Sequence, residues 1–168
     1  MPLAMSQFSA PVFVRQLAAL SAILDKAEAF AAERKIDPAE LLEARLAPDM
    51  FALPRQIQVA TDAAKGAIAR LAGAEVPSFA DTESTFAELK DRIARTIAYI
   101  QSVPAEKIDG SEDREILLTI GGGEMRFLGQ PFLLHFAMPN FFFHVTAAYA
   151  ILRHKGVEIG KRDFLGEI

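Results

Sequence analysis

The sequence predicts an all-α protein, a bundle of four long helices with a small β-hairpin before the last helix. Three segments carry apolar residues at alternating steps of three and four, which is the spacing of one face of an α-helix. A fourth segment, Phe132–Gly156, is almost wholly apolar, as a helix buried on most sides would be. Two short segments on either side of Gly121–Gly123 have the character of paired strands. We therefore expect residues 1–168 to form one helical domain.

The first half of the chain is predicted to form two long helices with a short one between them. The first spans about Ala10–Arg34. Its apolar face comprises Phe13, Leu17, Leu20, Leu24, Ala27 and Ala31. A short helix over about Asp37–Arg45 follows, because Asp37 supplies an N-cap and is followed by proline. The second long helix is expected over Pro54–Leu71, with Gly73 as its stop.

The third long helix is predicted from a capping signal. Thr85–Glu88 has the Thr and Glu spacing of a capping box, and apolar residues at helical spacing continue to about Val103. Pro104 ends the helix. The segment Gly73–Ser84 before it lacks helical periodicity and is expected to be a loop.

A β-hairpin is predicted between the third and the last helix. Arg114–Ile120 and Glu124–Leu128 have the residue types of short strands, and Gly121–Gly123 joins them. We interpret these glycines as a turn and not as a phosphate-binding loop, because such a loop needs a helix N-terminus directly after it.

The last helix is the most unusual segment of the chain. It is expected to end near Lys155 and Gly156, with Val157–Ile168 as an extended tail. The side chains of Phe141–Phe143 project in three directions, so one intramolecular core cannot receive them all. We therefore expect the helix to be central in the bundle, to contribute to a homodimer interface, or both.

Composition excludes several classes of protein. The 168 residues have a formal net charge of −4 and no basic stripe, so binding to nucleic acid is not expected. There is no cysteine, which excludes disulfides, thiolate metal ligands and a cysteine nucleophile. The N-terminus is a poor signal peptide, and polar residues interrupt the apolar run in the last helix, so we expect a cytoplasmic protein without a membrane span.

Three stretches of the sequence resemble a known family: ARLAPDMFALPRQIQVATDAAKG, TFAELKDRIARTIAYI and FLLHFAMPNFFFHVTAAYAILRHKGVEIGKRDFLG. They are similar to an uncharacterised bacterial domain-of-unknown-function family within the DinB/YfiT-like superfamily. The resemblance covers nearly the whole chain. It implies a four-helix bundle, often dimeric, and in many members a divalent metal such as nickel or zinc. That metal is held by one histidine of the second helix and a His-x-x-x-His pair of the last.

The metal ligands that the resemblance implies are mostly missing here. The pair falls on Asn140 and His144, so its first histidine is an asparagine. The second long helix has no histidine, and Gln56, Gln58 and Asp62 lie nearest the expected ligand position. The sequence therefore predicts that the three-histidine site is absent.

Asn140, His144, Gln58 and Asp62 are the candidate ligand-binding or residual metal residues. Positions 140 and 144 share a face of the last helix, and we expect them to meet Gln58 or Asp62 across the core. One interpretation is a hydrogen-bonded network that fixes the helix register. The other is a weak divalent metal site, which is less favoured because amides are poor ligands for nickel or zinc.

The other two histidines are not expected to join this site. His135 lies nine positions before His144, about half a turn out of phase unless Pro139 bends the helix. We expect it to be hydrogen-bonded or to face the hairpin. His154 lies in the last turn and is expected at the surface, where it complements the helix dipole.

Two hypotheses for the function remain open. The first is a non-catalytic or small-ligand-binding homodimer that lacks the three-histidine metal site. The alternative is a metal-assisted transferase or hydrolase that uses His144 and a second-helix carboxylate, Asp62, as a general base. No serine lies in a nucleophile elbow, and no catalytic residue or cofactor is assigned.

Overall fold

Most residues of the protein lie in helices. The structure is a computed structural model, and it describes residues 3–167. The elements in chain order are α1 (Ala10–Arg34), α2 (Pro38–Leu42), α3 (Leu53–Leu71), α4 (Phe86–Ser102), α5 (Ala105–Ile108), β1 (Glu115–Ile120), β2 (Gly123–Leu128), α6 (Gly129–Pro131), a π-helical segment (Phe132–Ala137), α7 (Met138–His154) and α8 (Lys161–Leu165). Four helices are long: α1, α3, α4 and α7 have 25, 19, 17 and 17 residues. The predicted mostly helical fold with a hairpin before the last long helix is confirmed.

The long helices pack around α3, which contacts both α7 and α4, while α1 packs against α4 and also contacts α7. The inward residues of α3 are mostly small, and Ala60, Ala64 and Ala67 have no exposed surface. Small side chains let neighbouring helices approach closely, and larger side chains from the other helices fill the remaining volume of the core. Phe13 of α1 and Phe141 of α7 fill part of it, meeting edge to face with 5.0 Å between ring centroids.

Short polar side chains set where α2 and α4 begin. The N–H of Glu88 donates to Thr85 Oγ1 at 3.2 Å, and the N–H of Thr85 donates to the Glu88 carboxylate at 3.1 Å. This is the predicted capping box. At the start of α2, Asp37 Oδ1 accepts from the N–H of Ala39 at 2.9 Å.

The predicted hairpin is confirmed, with β1 and β2 antiparallel and Ile120 opposite Gly123. Gly121 and Gly122 form the two-residue loop with φ angles of 58° and 82°. Two consecutive positive φ angles belong to a type I′ turn, which explains why glycine occupies both positions. The face of β1 that carries Ile116 packs on the helices.

The apolar run predicted as one helix is divided in two. Phe132–Ala137 forms a π-helix, and α7 begins at Met138 with Pro139 in its first turn. Proline has no N–H to donate to the carbonyl of residue 135, so the regular hydrogen-bond ladder is interrupted there. Within residues 3–167, no helix combines the length and apolar composition needed to cross a bilayer.

The count of four helices is not confirmed for the bundle as a whole, because the described residues also form the short helices α5, α6 and α8 in addition to the predicted α2. The extended tail is wrong in part, since Lys161–Leu165 forms α8. One local contact and one distant contact order this segment. Asp163 accepts from the N–H of Gly160 at 2.8 Å and pairs with Lys26 of α1 at 2.6 Å.

Candidate functional site

The imidazole of His144 is hydrogen-bonded to a side chain of α3. Its Nδ1 lies 2.7 Å from Oε1 of Gln56, and the two residues are 7% and 1% exposed. The Nε2 group of Gln56 donates to the carbonyl of Phe51 at 3.1 Å, which fixes the orientation of the amide. Because an amide oxygen can only accept, Nδ1 of His144 carries the proton. In the neutral ring, Nε2 is then an acceptor.

The surroundings of His144 favour the neutral form of its ring. Burial of the ring, and next the positive charge of Arg55, lower the pKa of His144 from its ordinary value of 6.5. A neutral imidazole in a single tautomer can accept a hydrogen bond at Nε2 but cannot donate one there.

A small cavity opens beside this pair. Its volume is about 210 Å³, and it is lined by Asp49, Met50, Phe51, Gln56, Phe143 and His144. The Phe51 ring is nearly parallel to the imidazole, with centroids 6.4 Å apart, and the Phe143 ring is perpendicular to it at 5.1 Å. The cavity therefore has aromatic walls and one imidazole.

Gln58 and Asp62 do not meet His144, contrary to the expected convergence. Positions 56 and 58 lie about 200° apart around a helix, so only one of them can face α7. Gln58 instead donates to the Glu83 carboxylate at 3.1 Å. Asp62, about 40° further round from Gln58, pairs with Arg92 at 2.8 Å and with Lys65.

Arg92 is the centre of a buried ionic cluster. It has no exposed surface, and its Nε donates to Thr61 Oγ1 at 2.8 Å. Its Nη1 donates to the carbonyl of Ala80 at 3.0 Å and to Glu83 at 3.1 Å, while Nη2 donates to Asp62. These hydrogen bonds connect the loop that contains Ala80 and Glu83 to α3 and α4.

Arg92 is not among the residues predicted from the sequence, although a signal for it is present. Leu89, Arg92, Ile93 and Thr96 follow the helical spacing of one face, and all four are buried. A charged residue in register with core positions indicates a buried ion that needs partners.

The remaining predicted residues lie apart from the cluster. Asn140 is half-buried one turn before His144, and its carboxamide bonds no described residue. His135 is exposed within the π-helix, and His154 is exposed in the last turn of α7, as its position predicts.

The side chains at this site do not fit the three-histidine metal that the resemblance implies. The donors nearest one another are one imidazole and the amide of Gln56, whose oxygen already accepts from that imidazole. Amides are weak ligands for nickel and zinc. Among the described residues, no group of three His, Cys, Asp or Glu side chains is placed to hold a metal ion.

A second and larger cavity lies at the N-terminal ends of α3 and α4. Its volume is about 860 Å³. Its walls include the apolar residues Leu42, Pro54 and Phe86 and the polar residues Gln58 and Thr85. They also include five charged residues: Glu28, Asp37, Glu43, Arg45 and Arg55. Gln58, which lines this cavity, is 6% exposed.

Comparisons with known proteins place the chain in a family. Residues 5–165 match the model of a domain of unknown function, DUF1993. The chain belongs to the DUF1993 family. The crystal structure of a DinB family member from Shewanella denitrificans is similar to this DUF1993 protein, with 41% sequence identity and a TM-score of 0.88. The match covers 97% of this chain and 92% of that chain. The predicted DinB-like resemblance is thus confirmed. No curated protein matches the sequence.

Proposed function

We propose that this DUF1993 protein is a non-catalytic homodimer that binds a small organic molecule in the larger cavity. The observation that carries the proposal is the cavity of about 860 Å³ at the N-terminal ends of α3 and α4. Cavities that bind small molecules are mostly apolar, of about 300 to 1,000 Å³, with a few placed polar groups. This cavity combines an apolar wall at Leu42 and Phe86 with the buried amide of Gln58.

The arrangement of Asp62 favours this function over the metal-assisted transferase or hydrolase. That alternative requires a second-helix carboxylate beside His144. Asp62 is on another face of α3, where Arg92 and Lys65 neutralise it. An ion-paired carboxylate remote from the imidazole is poorly suited to act with it as a general base.

Ligand binding is tested with the fluorescent probe anilinonaphthalene sulfonate, which brightens on entering an apolar cavity. Ala39 lines the cavity, so Ala39→Phe fills part of it and is expected to weaken probe binding about tenfold or more. The matched control is Ala98→Phe, at an exposed position of α4 outside the cavity. Equal binding by the two variants would show that the probe does not use this cavity.

An uncharged surface on α7 supports the homodimer. Phe143 is 57% exposed and lies on one helical stripe with Thr146 and Ala150. This stripe borders a groove of about 360 Å³ that Leu46 and Met50 close on the other side. In an antiparallel pair of α7 helices, the projecting Phe143 of each copy would enter the groove beside Ala150 of the other. Such a patch is self-complementary, as a two-fold interface requires.

The dimer is tested by light scattering after size exclusion. Phe143→Ser is expected to shift the protein toward the monomer, because the buried aromatic anchor is lost. Leu128→Ser is the control, since Leu128 is 48% exposed on the hairpin and lies outside the groove. A wild-type protein that is monomeric at high concentration would refute this part of the proposal.

A further inference from the structure

Nε2 of His144 is an unused hydrogen-bond acceptor. It bonds no described residue, although the side chain is more than nine-tenths buried. Among residues 3–167, Ser111 Oγ is the buried side-chain oxygen or nitrogen that lacks a partner. Nε2 therefore keeps some accessible surface, and the cavity that His144 lines is the one of about 210 Å³.

The bond to Gln56 determines what this nitrogen can do. Gln56 is held by the carbonyl of Phe51, so its oxygen faces Nδ1 and keeps the proton there. The remaining lone pair can be satisfied only by a donor that enters the cavity.

The residues around the cavity indicate the shape and the charge of the ligand. The rings of Phe51 and Phe143, one nearly parallel and one perpendicular to the imidazole, offer two aromatic surfaces to a flat ring. Asp49 at the cavity disfavours an anion. Arg55, whose guanidinium lies 5.7 Å from the centroid of the Phe51 ring, disfavours a cation.

We propose that this cavity binds a small neutral aromatic molecule carrying one O–H or N–H group, which donates a hydrogen bond to Nε2 of His144. The site is separate from the larger cavity, so it neither requires nor excludes the ligand proposed there, but it shares Met50 and Phe143 with the surface proposed for the homodimer. The chemical class follows from one fixed acceptor, two aromatic walls, the charge of Asp49 at the cavity and that of Arg55 beside Phe51.

The tautomer is tested on the wild-type protein by nitrogen NMR of labelled histidine. The expected spectrum at neutral pH shows a protonated, pyrrole-type Nδ1 and an unprotonated, pyridine-type Nε2 for His144. Exposed His154 serves as the internal reference, since its ring has no fixed partner among the described residues. A protonated Nε2 in His144 would overturn the proposal without any substitution being made.

Binding is tested with phenol and anisole, which share a ring but differ in the donor. Phenol is expected to bind about fivefold to tenfold more tightly, the factor typical of one hydrogen bond. His144→Phe keeps an aromatic side chain and is expected to abolish this preference. Ala39→Phe, which blocks the larger cavity, is expected to leave it unchanged. Equal affinities for phenol and anisole in the wild-type protein would refute the site, whatever the probe shows in the larger cavity.

Discussion

Nδ1 of His144 on α7 and Oε1 of Gln56 on α3 lie 2.7 Å apart, and their hydrogen bond links two helices of the core. Both side chains are at least nine-tenths buried. A buried polar pair of this kind tolerates the loss of one partner poorly, because the other group is left without a hydrogen bond. The pair therefore affects both the stability of the fold and the chemistry of the cavity beside it.

Gln56→Leu is expected to lower the free energy of unfolding by about 1 to 3 kcal/mol, because it leaves Nδ1 of His144 unpaired in a buried position. Urea unfolding measures the change. Gln101→Leu, at an exposed position of α4, is the matched control and should change stability little. If both variants were equally stable, the hydrogen bond would have no net structural role.

The stability of the protein should decrease as the pH falls below about 6.5, because of His144. Folding lowers the pKa of this imidazole, through burial and then through the charge of Arg55. The unfolded chain therefore binds a proton more readily than the folded protein, so acidification favours unfolding. Above the unfolded pKa both states are neutral, and this contribution is constant.

Urea unfolding of the wild type and His144→Gln at several pH values between about 7.5 and 5.5 measures this dependence. The substitution should flatten the curve over that range. His154→Gln replaces an exposed histidine and should leave the wild-type slope in place. A slope retained in the His144 variant would assign the effect to another group.

Local signals in the sequence predicted the elements of the fold that depend on neighbouring residues. The Thr85 and Glu88 capping box located the start of α4, and Gly121 with Gly122 located the hairpin turn. The helix α8 could not be found in this way. Its position depends on Lys26, which lies 137 residues earlier in the chain than Asp163.

The site was harder to predict because the rotation of α3 decides it. Gln56, Gln58 and Asp62 are all polar residues near the expected position, and periodicity alone does not show which one faces α7. The buried Arg92 resolves the choice. Arg92 of α4 forms ion pairs with Asp62 and Glu83, so Asp62 lies on the face of α3 toward α4. Gln56 lies on the face of α3 that meets His144.

Arg92→Met should destabilise the protein by about 3 to 5 kcal/mol, because the substitution leaves buried Glu83 without its nearest cation. The Glu83 side chain is only 4% exposed, so water cannot replace the lost partner. Arg95→Met is the control. Arg95 is 48% exposed and lies 3.9 Å from the same carboxylate, a pair worth at most about 1 kcal/mol.

Comparison of the unfolding free energies of the two variants decides whether the cluster matters. A double variant with Glu83→Gln should recover part of the loss in Arg92→Met, since it removes the uncompensated charge. Losses that simply add would contradict direct coupling between the two side chains.

Gly129→Ala should destabilise the junction between the hairpin and the last long helix by about 1 to 3 kcal/mol through steric overlap. A Cβ atom at Gly129 would lie 1.9 Å from the carbonyl oxygen of Ser111, and backbone cannot yield as the end of a side chain can. Gly123→Ala is the matched control, because its nearest neighbour, the carbonyl oxygen of Ile120, lies at an ordinary 3.6 Å. Thermal unfolding should therefore show a lower midpoint for the Gly129 variant alone. Equal midpoints would mean that the chain near Ser111 can move aside, and that this contact does not fix where the hairpin meets the helix.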